Sequence, residues 1–279
     1  QKSADLRHVV QTALERNRKK YDLQSKQLKG TEKRDKYKVY GELINTYGYN
    51  LEPGSKELTA LNYYTNEEIT IPLDPTQTPG ENAQRYFAKY NKQKRTFEAL
   101  TELIQETADD IQYLESISNA LDIALSEADL AQIKEELMQS GYIRRKHTKK
   151  KVKLTSKPMH YISSDGYDMY VGKNNLQNEE LTFSFANGND WWFHAKGAPG
   201  SHVIVKSGGD ELPDCTFEEA GRLAAYYSKN RGADKVEIDY IQKKHVKKPN
   251  GAKPGFVVYY TNYSLVIDSD ISNIKNVQD

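Results

Sequence analysis

The sequence has few of the residues that identify a disulfide-rich or membrane-spanning protein. It contains one cysteine, Cys215, among 279 residues, so an internal disulfide framework and a cysteine-based structural zinc site are both excluded. Its purely apolar runs extend over only a few residues, far short of the roughly 18 that a membrane-spanning helix requires. The composition therefore predicts a soluble protein of a reducing compartment, most simply the cytoplasm, with no membrane partner.

The N-terminus also lacks the features of a natural start. It reads QKSADLRHVV, without an initiating methionine and without the apolar segment of a signal peptide. We therefore expect the chain to be a fragment of a longer protein.

The sequence as a whole has no large excess of charge of one sign, but several of its segments do. Forty Lys and Arg residues nearly balance 39 Asp and Glu residues, giving a net charge of +1, but this sum does not describe where the charges lie. Acidic residues are concentrated in 98–115 and 127–136, whereas residues 142–159 and 241–255 are basic and contain no acid. The near-zero net charge is thus a cancellation between segments.

The two acid-free runs indicate a polyanionic partner. A single basic run is usually just a solvated face. Two such runs around one domain, with aromatic residues and amides between them, favour binding to a phosphate backbone, and RNA is the polyanion we expect. The predicted RNA-binding residues are Arg144, Arg145, Lys146, Lys149, Lys150, Lys151, Lys243, Lys244, Lys247 and Lys248.

The first half of the sequence predicts a long helical arm. Apolar residues recur at steps of three and four over 97–125, which is a heptad seam of four repeats, and one helix is expected from about residue 82 to 125. A weaker apolar face follows the Lys- and Arg-rich segment 3–46, and two helices of matching length should pair antiparallel. A compact helical bundle with a long loop is the alternative.

A small hairpin subdomain is expected within this arm. Two β-like runs, Glu57–Tyr64 and Glu68–Pro72, flank a short polar turn. The predicted organisation is a coiled-coil arm over 1–46 and 79–125, an inserted subdomain over 47–78, and a short helix with a basic linker over 126–157. Ser126 with Asp129 predicts a capping box at the start of the short helix, and Gly141 suits its end.

Residues 158–279 predict a mixed, largely antiparallel α/β domain, which makes the whole chain α+β. Its candidate strands are joined by connections too short for crossover helices. One helix is expected over Phe217–Asn230, with Thr216 and Glu219 as a capping box. The candidate strands are His160–Ser163, Met169–Gly172, Leu181–Ala186, Trp191–Ala195, His202–Lys206, Lys235–Tyr240, Phe256–Tyr260 and Tyr263–Asp268.

The segment DWWFHAKGAPGSHVIV holds the densest set of chemical side chains. Asp190, His194, Ser201 and His202 are the residue types of a hydrolase relay or a metal site. The eight-residue separation of the two histidines across a Gly-Pro-Gly turn does not match a known catalytic or metal-binding spacing. A structural role, in which the histidines form hydrogen bonds that hold the turn, is the favoured interpretation.

Two loops have the chemistry to contact RNA. The turn GAPGS can present backbone N–H groups to a phosphate. The segment GKNNLQN, residues 172–178, carries amides that can bond either to the backbone or to a base edge. In both cases a plain turn is the alternative.

Together these segments resemble the NFACT family of ribosome-associated quality-control factors, whose bacterial members are also called fibronectin-binding proteins. The resemblance is carried by SSDGYDMYVGKNNLQNEELTF, DWWFHAKGAPGSHVIV, EEAGRLAAYYSKNR and DYIQKKHVKKPNGAKPGFVVYY, which are similar to the NFACT-R domain. Upstream, YFAKYNKQKR is similar to the coiled-coil segment of the family. The positions that match the family motifs are Gly172, Lys173, Asn174, Asn175, Gln177, Asn178, Asp190, Trp192, His194, Gly200, Ser201 and His202.

This resemblance implies a binding factor rather than an enzyme. It implies binding to the large ribosomal subunit, through ribosomal RNA and the stalk base, binding to tRNA, and support for template-free alanine tailing of stalled chains. No catalytic residue, cofactor, metal or small-molecule substrate is expected. The N-terminal domains that select tRNA in the family are not part of this sequence. Two alternatives stay open: a surface adhesin that binds fibronectin or fibrinogen, and a hydrolase based on His194, His202 and Asp190.

Overall fold

A computed structural model describes residues 2–147 and 153–277 of the chain. The fold is α+β, as predicted, with long helices in the first half and antiparallel sheets thereafter. The first half contains α1 (Lys2–Lys29), α2 (Arg34–Tyr47), β1 (Glu57–Asn62), β2 (Glu67–Pro72), α3 (Pro79–Ile123) and α4 (Glu127–Gln139). The second half contains β3 (Met159–Ile162), β4 (Asp168–Val171), α5 (Asn175–Glu180), β5 (Trp191–Ala195), β6 (Val203–Val205), α6 (Asp214–Tyr226), β7 (Val236–Gln242), β8 (Tyr263–Ile267) and β9 (Lys275–Val277).

The chain divides into two compact units. One comprises Gln1–Arg16 with Asp110–Asp279, and the other comprises Asn17–Asp109. The long helix α3, at 45 residues, contributes to both. It is the single helix expected from the heptad pattern, but it ends at Ile123, so the predicted seam residue Leu125 lies beyond the helix and is exposed.

The unit Asn17–Asp109 consists of antiparallel helices and the predicted hairpin. Leu43 and Ile44 of α2 pack with Ala83 and Tyr86 of α3. The strands β1 and β2 pair antiparallel and place Leu58, Ala60 and Ile71 in the same core. The first predicted helix, 3–46, is interrupted between α1 and α2 at residues 30–33, where the Thr31 and Glu32 N–H groups donate to carbonyls three residues earlier instead of four.

In the other unit the start of α1 lies against the end of α3. Leu6 and Val10 pack with Leu114, Ile117 and Leu121, which confirms the antiparallel direction of the two helices. Helix α4 packs on the same cluster. Its capping box is present as predicted, with Ser126 and Asp129 bonding each other's backbone N–H groups, and Gly141 adopts the positive φ of 84° suited to a helix end.

The second half forms a seven-stranded sheet in the order β8-β7-β5-β6-β4-β3-β9. Every pairing between its strands is antiparallel. Helix α6 covers one face, where Leu223 packs among Phe193, Val203 and Met169. The opposite face carries Trp192 and Ile204, which are covered by the residues that follow α5.

Three predicted elements of this domain are corrected. Leu181–Ala186 is not a strand: Leu181–Phe185 forms a π-helical turn that continues α5, with Ala186 N–H donating to the Leu181 carbonyl at 2.9 Å. Phe256–Tyr260 forms only an isolated bridge, between Val258 and Lys247, because the proline- and glycine-rich loop before it prevents a longer ladder. The predicted helix begins at Asp214 rather than Phe217, after the N-cap residue Pro213, so Thr216 and Glu219 lie inside it and do not cap it.

Candidate nucleic-acid interface

The segment 172–178 is a tight turn from β4 into α5. Asn174 caps α5, its Oδ1 accepting the Gln177 N–H at 2.9 Å. The side-chain oxygen of Asn178 accepts the His202 N–H at 3.1 Å. A Cβ atom at Gly172 would overlap this Asn178 carboxamide, so only glycine fits the turn.

The amides of this turn bind other parts of the chain. Asn174 Nδ2 and Gln177 Nε2 both donate to Gln132 Oε1 on α4, at 2.8 and 2.6 Å. Gln177 also donates to Ser156 Oγ at 2.9 Å. Asn174 and Gln177 are each 2% exposed, so the structure places these family-motif amides inside the protein, where their donors are already used.

Lys173 is held by an acidic side chain of α4. Its Nζ lies 3.1 Å from Asp129 Oδ1, and Asp129 is 3% exposed. Burial alone would raise the pKa of Asp129, but hydrogen bonds from the Leu125 N–H, Ser156 and Lys173 hold that pKa below its ordinary value. The positive charge of Lys173 therefore compensates the negative charge of the buried Asp129 carboxylate.

Asn175 joins the turn to a buried glutamate. Its backbone N–H donates to Glu136 Oε1 at 3.2 Å, and its Nδ2 donates to Glu136 Oε2 at 3.0 Å and to Ser116 Oγ at 2.8 Å. Tyr113 O–H also donates to Glu136 Oε2, at 2.6 Å. Glu136 is 1% exposed, and this burial raises its pKa, although the hydrogen bonds from Tyr113 and Asn175 act in the opposite direction.

The two histidines of the motif are brought together by the sheet. The rings of His194 and His202 lie edge to face, with centroids 5.8 Å apart. His202 is 3% exposed, and its Nδ1 lies 2.7 Å from Thr182 Oγ1. Burial, followed by the nearby His194, lowers the pKa of His202 to about 3, so its ring is neutral at physiological pH.

His194 is half-buried beside an acidic side chain. Its partner across the strands β5 and β7 is Asp239, whose carboxylate accepts from Tyr259 O–H at 2.7 Å and from Ser264 Oγ at 3.0 Å. Burial lowers the pKa of His194, and the charge of Asp239 opposes this shift. The ring of His194 also stacks on Trp192, which is fully buried and whose indole N–H has no acceptor among residues 2–147 and 153–277.

Asp190 does not join these histidines. Its Oδ2 accepts the Asn187 N–H at 2.7 Å, its Oδ1 accepts the Ser207 N–H at 3.0 Å, and Lys206 Nζ lies 2.7 Å from Oδ2. The carboxylate therefore organises the turn before β5 and the end of β6. Asp190 is not placed to orient either ring of the predicted hydrolase relay.

The glycine-rich turn between β5 and β6 is fixed by its contacts with the end of α6. The Ser201 N–H donates to the Tyr227 carbonyl at 3.0 Å, and Ser201 is 2% exposed. A Cβ atom at Gly200 would lie 3.0 Å from the Cβ atom of Ser228. Within the described part of the chain, no group of three or more His, Cys, Asp or Glu side chains is arranged to hold a metal ion.

Some of the predicted basic residues are engaged in ion pairs. Arg145 lies 2.7 Å from Glu135, and Lys248 lies 2.5 Å from Glu179. Arg144 and Lys146 are exposed beside Arg145. Three further residues of the first run lie outside the described residues, namely Lys149, Lys150 and Lys151.

The second basic run presents its charges on a short 3-10 turn after β7. Lys244 and Lys247 are exposed, Lys243 is half-buried, and none of the three forms an ion pair among the described residues. The backbone of this turn is anchored to the turn before β5, because Lys243 N–H donates to the Asp190 carbonyl at 2.8 Å and Lys244 N–H donates to the Gly188 carbonyl at 3.1 Å. The lysines are therefore held on a fixed loop.

A further basic surface, which the sequence had indicated only as a Lys-rich helix, lies within the unit Asn17–Asp109. Residues 33–38 and 85–95 carry nine Lys or Arg and one acid. Several of these cations lie over aromatic rings: Lys89 Nζ is 4.5 Å from the Tyr37 centroid, and Lys38 Nζ is 5.7 Å from that of Tyr90. We call this surface the arm cation surface.

Sequence reasoning missed two carboxylates that accept hydrogen bonds around the site, Glu136 and Asp239. Glu136 had a signal, because Asp129, Ile133, Glu136 and Leu137 share one face of α4, which places two acids on an otherwise apolar stripe. The contact of Asp239 with Tyr259 had no such signal, since the register of β5 with β7 creates the site around it.

Comparison with known sequences extends over almost the whole chain. Residues 1–156 match the family described as NFACT N-terminal and middle domains, and residues 157–260 match the NFACT protein RNA binding domain. The chain is similar to proteins named Rqc2 homolog RqcH, from Streptococcus pneumoniae (41% identity over 279 residues) and Bacillus subtilis (39% over 281 residues). These matches include 100% and 98% of this chain but only 50% and 48% of the relatives, so the chain spans about half their length.

A solved structure shows the same fold. It is the C-terminal part of the fibronectin/fibrinogen-binding protein from Streptococcus suis, with a TM-score of 0.76, 37% identity, and coverage of 98% of this chain and 97% of that one. The described part of our chain contains no helix long and apolar enough to cross a membrane. The matched families and the shared fold establish that this chain belongs to the NFACT family.

Proposed function

We propose that this chain supplies the RNA- and ribosome-binding surfaces of a cytoplasmic ribosome-associated quality-control factor. The observation that carries the proposal is the fixed turn with Lys243, Lys244 and Lys247, which lies in the part that matches an RNA-binding domain. These lysines are not neutralised by acidic neighbours among the described residues, so their field is available to a polyanion.

The lysine turn suits contacts to a phosphate backbone. Lysine acts as a compact point charge with three donors, and it binds phosphate oxygens without reading sequence. Because Lys243 and Lys244 are tied through their backbone to Asp190 and Gly188, the position of the turn is defined before RNA arrives. We assign Arg144 and Lys146, which are exposed, to the same role.

The arm cation surface supports a contact with the large ribosomal subunit. Lys36 and Lys89 are both exposed and lie over the Tyr37 ring, 5.2 and 4.5 Å from its centroid. These like charges repel each other, and the repulsion is relieved when they meet phosphates. Ribosomal RNA near the stalk base is the polyanion we propose for this surface.

The complete factor would also bind tRNA and support template-free alanine tailing of stalled chains. We propose that this chain, which spans about half the length of its relatives, contributes binding and not catalysis, without a cofactor. Two observations support this part of the proposal. The His202 ring is neutral at physiological pH, and the Asp190 carboxylate accepts from the Asn187 and Ser207 N–H groups instead of orienting a histidine.

The experiment is a salt titration of binding to purified large ribosomal subunits and to tRNA. Changing Lys243, Lys244 and Lys247 together to Gln should reduce the slope of log affinity against log salt by about 2 to 3, since each phosphate contact contributes about 0.7 to 0.9. The control changes three exposed lysines elsewhere, Lys134, Lys235 and Lys275, to Gln. Binding that is independent of salt, or the same loss in both triple variants, contradicts the proposal.

The name of the Streptococcus suis structure favours a second candidate, which is binding to fibronectin or fibrinogen. The two functions are separated by measuring binding of the same preparation to immobilised fibronectin and to large ribosomal subunits. Saturable, salt-resistant binding to fibronectin together with no binding to subunits would favour the second.

A further inference from the structure

A cluster of three aromatic rings lies at one end of the sheet face that α6 does not cover. His160 of β3 and Tyr170 of β4 are directly paired across the strands, and their rings are stacked at 4.4 Å with 8° between the planes. Phe185, the last residue of the π-helical turn, meets Tyr170 edge to face at 4.8 Å. We call these three residues the ring platform.

The ring platform is held by hydrogen bonds and ring contacts although it is partly exposed. His160 Nε2 lies 2.7 Å from Asp168 Oδ1, which fixes the orientation of the imidazole under Tyr170. Phe185 is 40% exposed, and it is held at its edge by Tyr170 and at its backbone by Lys206 Nζ, which donates to the Phe185 carbonyl at 3.2 Å. A held, partly exposed aromatic ring offers a surface on which a planar group can stack.

Positive charge adjoins the platform. Lys206 Nζ lies 4.6 Å from the centroid of Phe185, but its charge is paired with the buried Asp190, so the unpaired charge comes from the lysines of the turn after β7. The N–H of the exposed Lys244 donates at 3.1 Å to the carbonyl of Gly188, three residues after Phe185, so the lysine turn is bonded to the segment that follows the platform. An aromatic ring next to fixed cations is the arrangement that binds single-stranded nucleic acid, with a base on the ring and its phosphates on the cations.

We propose that the ring platform binds an unpaired base of RNA, which stacks on Phe185 while Lys244 and Lys247 contact the adjoining phosphates. This inference rests on the proposed RNA-binding function and specifies its ligand as single-stranded RNA. A duplex presents no free base face, so the platform discriminates against paired RNA. Stacking is tolerant of base identity, and little sequence preference is expected.

The test measures fluorescence anisotropy of the 279-residue chain with a labelled single-stranded oligoadenylate and with an RNA duplex of equal length. Phe185→Ala should weaken single-strand binding by about 5- to 100-fold, as expected for loss of one stacked base, and should change duplex binding by less than about twofold. Phe185→Leu keeps an apolar side chain without a π-face and should lose single-strand affinity as Ala does. Phe185→Trp enlarges the ring and should preserve it.

The matched control is Tyr49→Ala, which removes an aromatic side chain that is 80% exposed in the other unit, and it should leave both affinities unchanged. Melting curves establish that each variant is folded. The inference is overturned if Phe185→Ala or Phe185→Leu binds the single strand as the parent chain does, or if single-strand and duplex binding fall equally. If the parent chain binds RNA, these variant results overturn the ring-platform inference but leave the proposed function intact. If the parent chain binds no RNA, both the inference and the proposed function are overturned.

Discussion

The carboxamide of Asn178 occupies the space that a side chain at Gly172 would need. Asn178 uses the same group to accept the His202 N–H at 3.1 Å, while the Gly172 N–H donates to the His202 carbonyl at 3.1 Å. The turn after β4 and the start of β6 are thus joined through both backbone groups of one histidine. The family motif consequently acts as an internal frame that sets the positions of the surface residues around it.

Gly172→Ala should destabilise the fold by about 1 to 3 kcal/mol, because the added methyl group must displace the Asn178 carboxamide from its hydrogen bond. The free energy of unfolding is measured by urea denaturation. The control is Gly80→Ala in the first turn of α3, where only Thr78 Oγ1 approaches, at 3.9 Å. That variant should be neutral or more stable by up to about 1 kcal/mol, and equal losses in the two variants would contradict the close contact.

Glu136→Ala should cost about 3 kcal/mol, because the N–H and Nδ2 groups of Asn175 and the hydroxyl of Tyr113 lose their acceptor in a buried site. Its neighbour provides a matched control. Glu135 pairs with Arg145 at the surface, and Glu135→Ala should cost less than about 1 kcal/mol. Thermal and urea unfolding of both variants tests this difference, and similar losses would rule out a special role for Glu136.

Acidification should destabilise the fold through His202. Its pKa in the folded protein is about 3, below the ordinary value of about 6.5, so the unfolded chain binds more protons between these values and stability falls as the pH is lowered through this window. The loss from this residue between about pH 7 and pH 5 is on the order of 2 kcal/mol.

The measurement for His202 is the free energy of unfolding at several pH values in the parent chain and in His202→Gln, which does not titrate. The variant should show the shallower fall, with His194, whose pKa is also lowered by burial, still contributing in both proteins. Parallel curves would mean that His202 is accessible to protons in the folded state.

The arm cation surface should contribute to ribosome binding independently of the lysine turn. Lys36→Gln with Lys89→Gln should lower the salt slope for large-subunit binding by about 1.5 to 2. The pair Lys235→Gln with Lys275→Gln removes the same charge from exposed positions and should have no effect. Combining the arm pair with the turn triple variant should add the two changes, and a combined effect no larger than one alone would contradict separate contacts.

The elements whose signals are local were predictable from the sequence. The capping box of α4 depends on Ser126 and Asp129 alone, and the heptad seam predicted α3 as a single helix. The strand predicted at Leu181–Ala186 was wrong because Leu181, Phe183 and Phe185 alternate with polar residues as in a strand. Burial of Leu181 against Trp192 and Ile204 favours the helical continuation instead, and this contact depends on the sheet.

The candidate site divides in the same way. The basic turn was visible as an acid-free run, although the acids that neutralise Arg145 and Lys248 are Glu135 and Glu179, which the sequence alone did not pair with them. The inward orientation of the motif amides cannot be predicted without the position of α4, because their acceptor Gln132 lies more than 40 residues before Asn174 and Gln177. Only the tertiary structure decides which amides remain for RNA.

The bonds from Asn175 to Glu136 and Ser116 cross the junction at residues 156–157 where one matched family ends and the next begins. The domain that sequence comparison delimits therefore shares part of its buried hydrogen-bond network with α3 and α4. Residues 157–260 produced alone would lose these acceptors and expose Asn175 to water, so we expect that segment to be less stable than one that retains α4 and the end of α3.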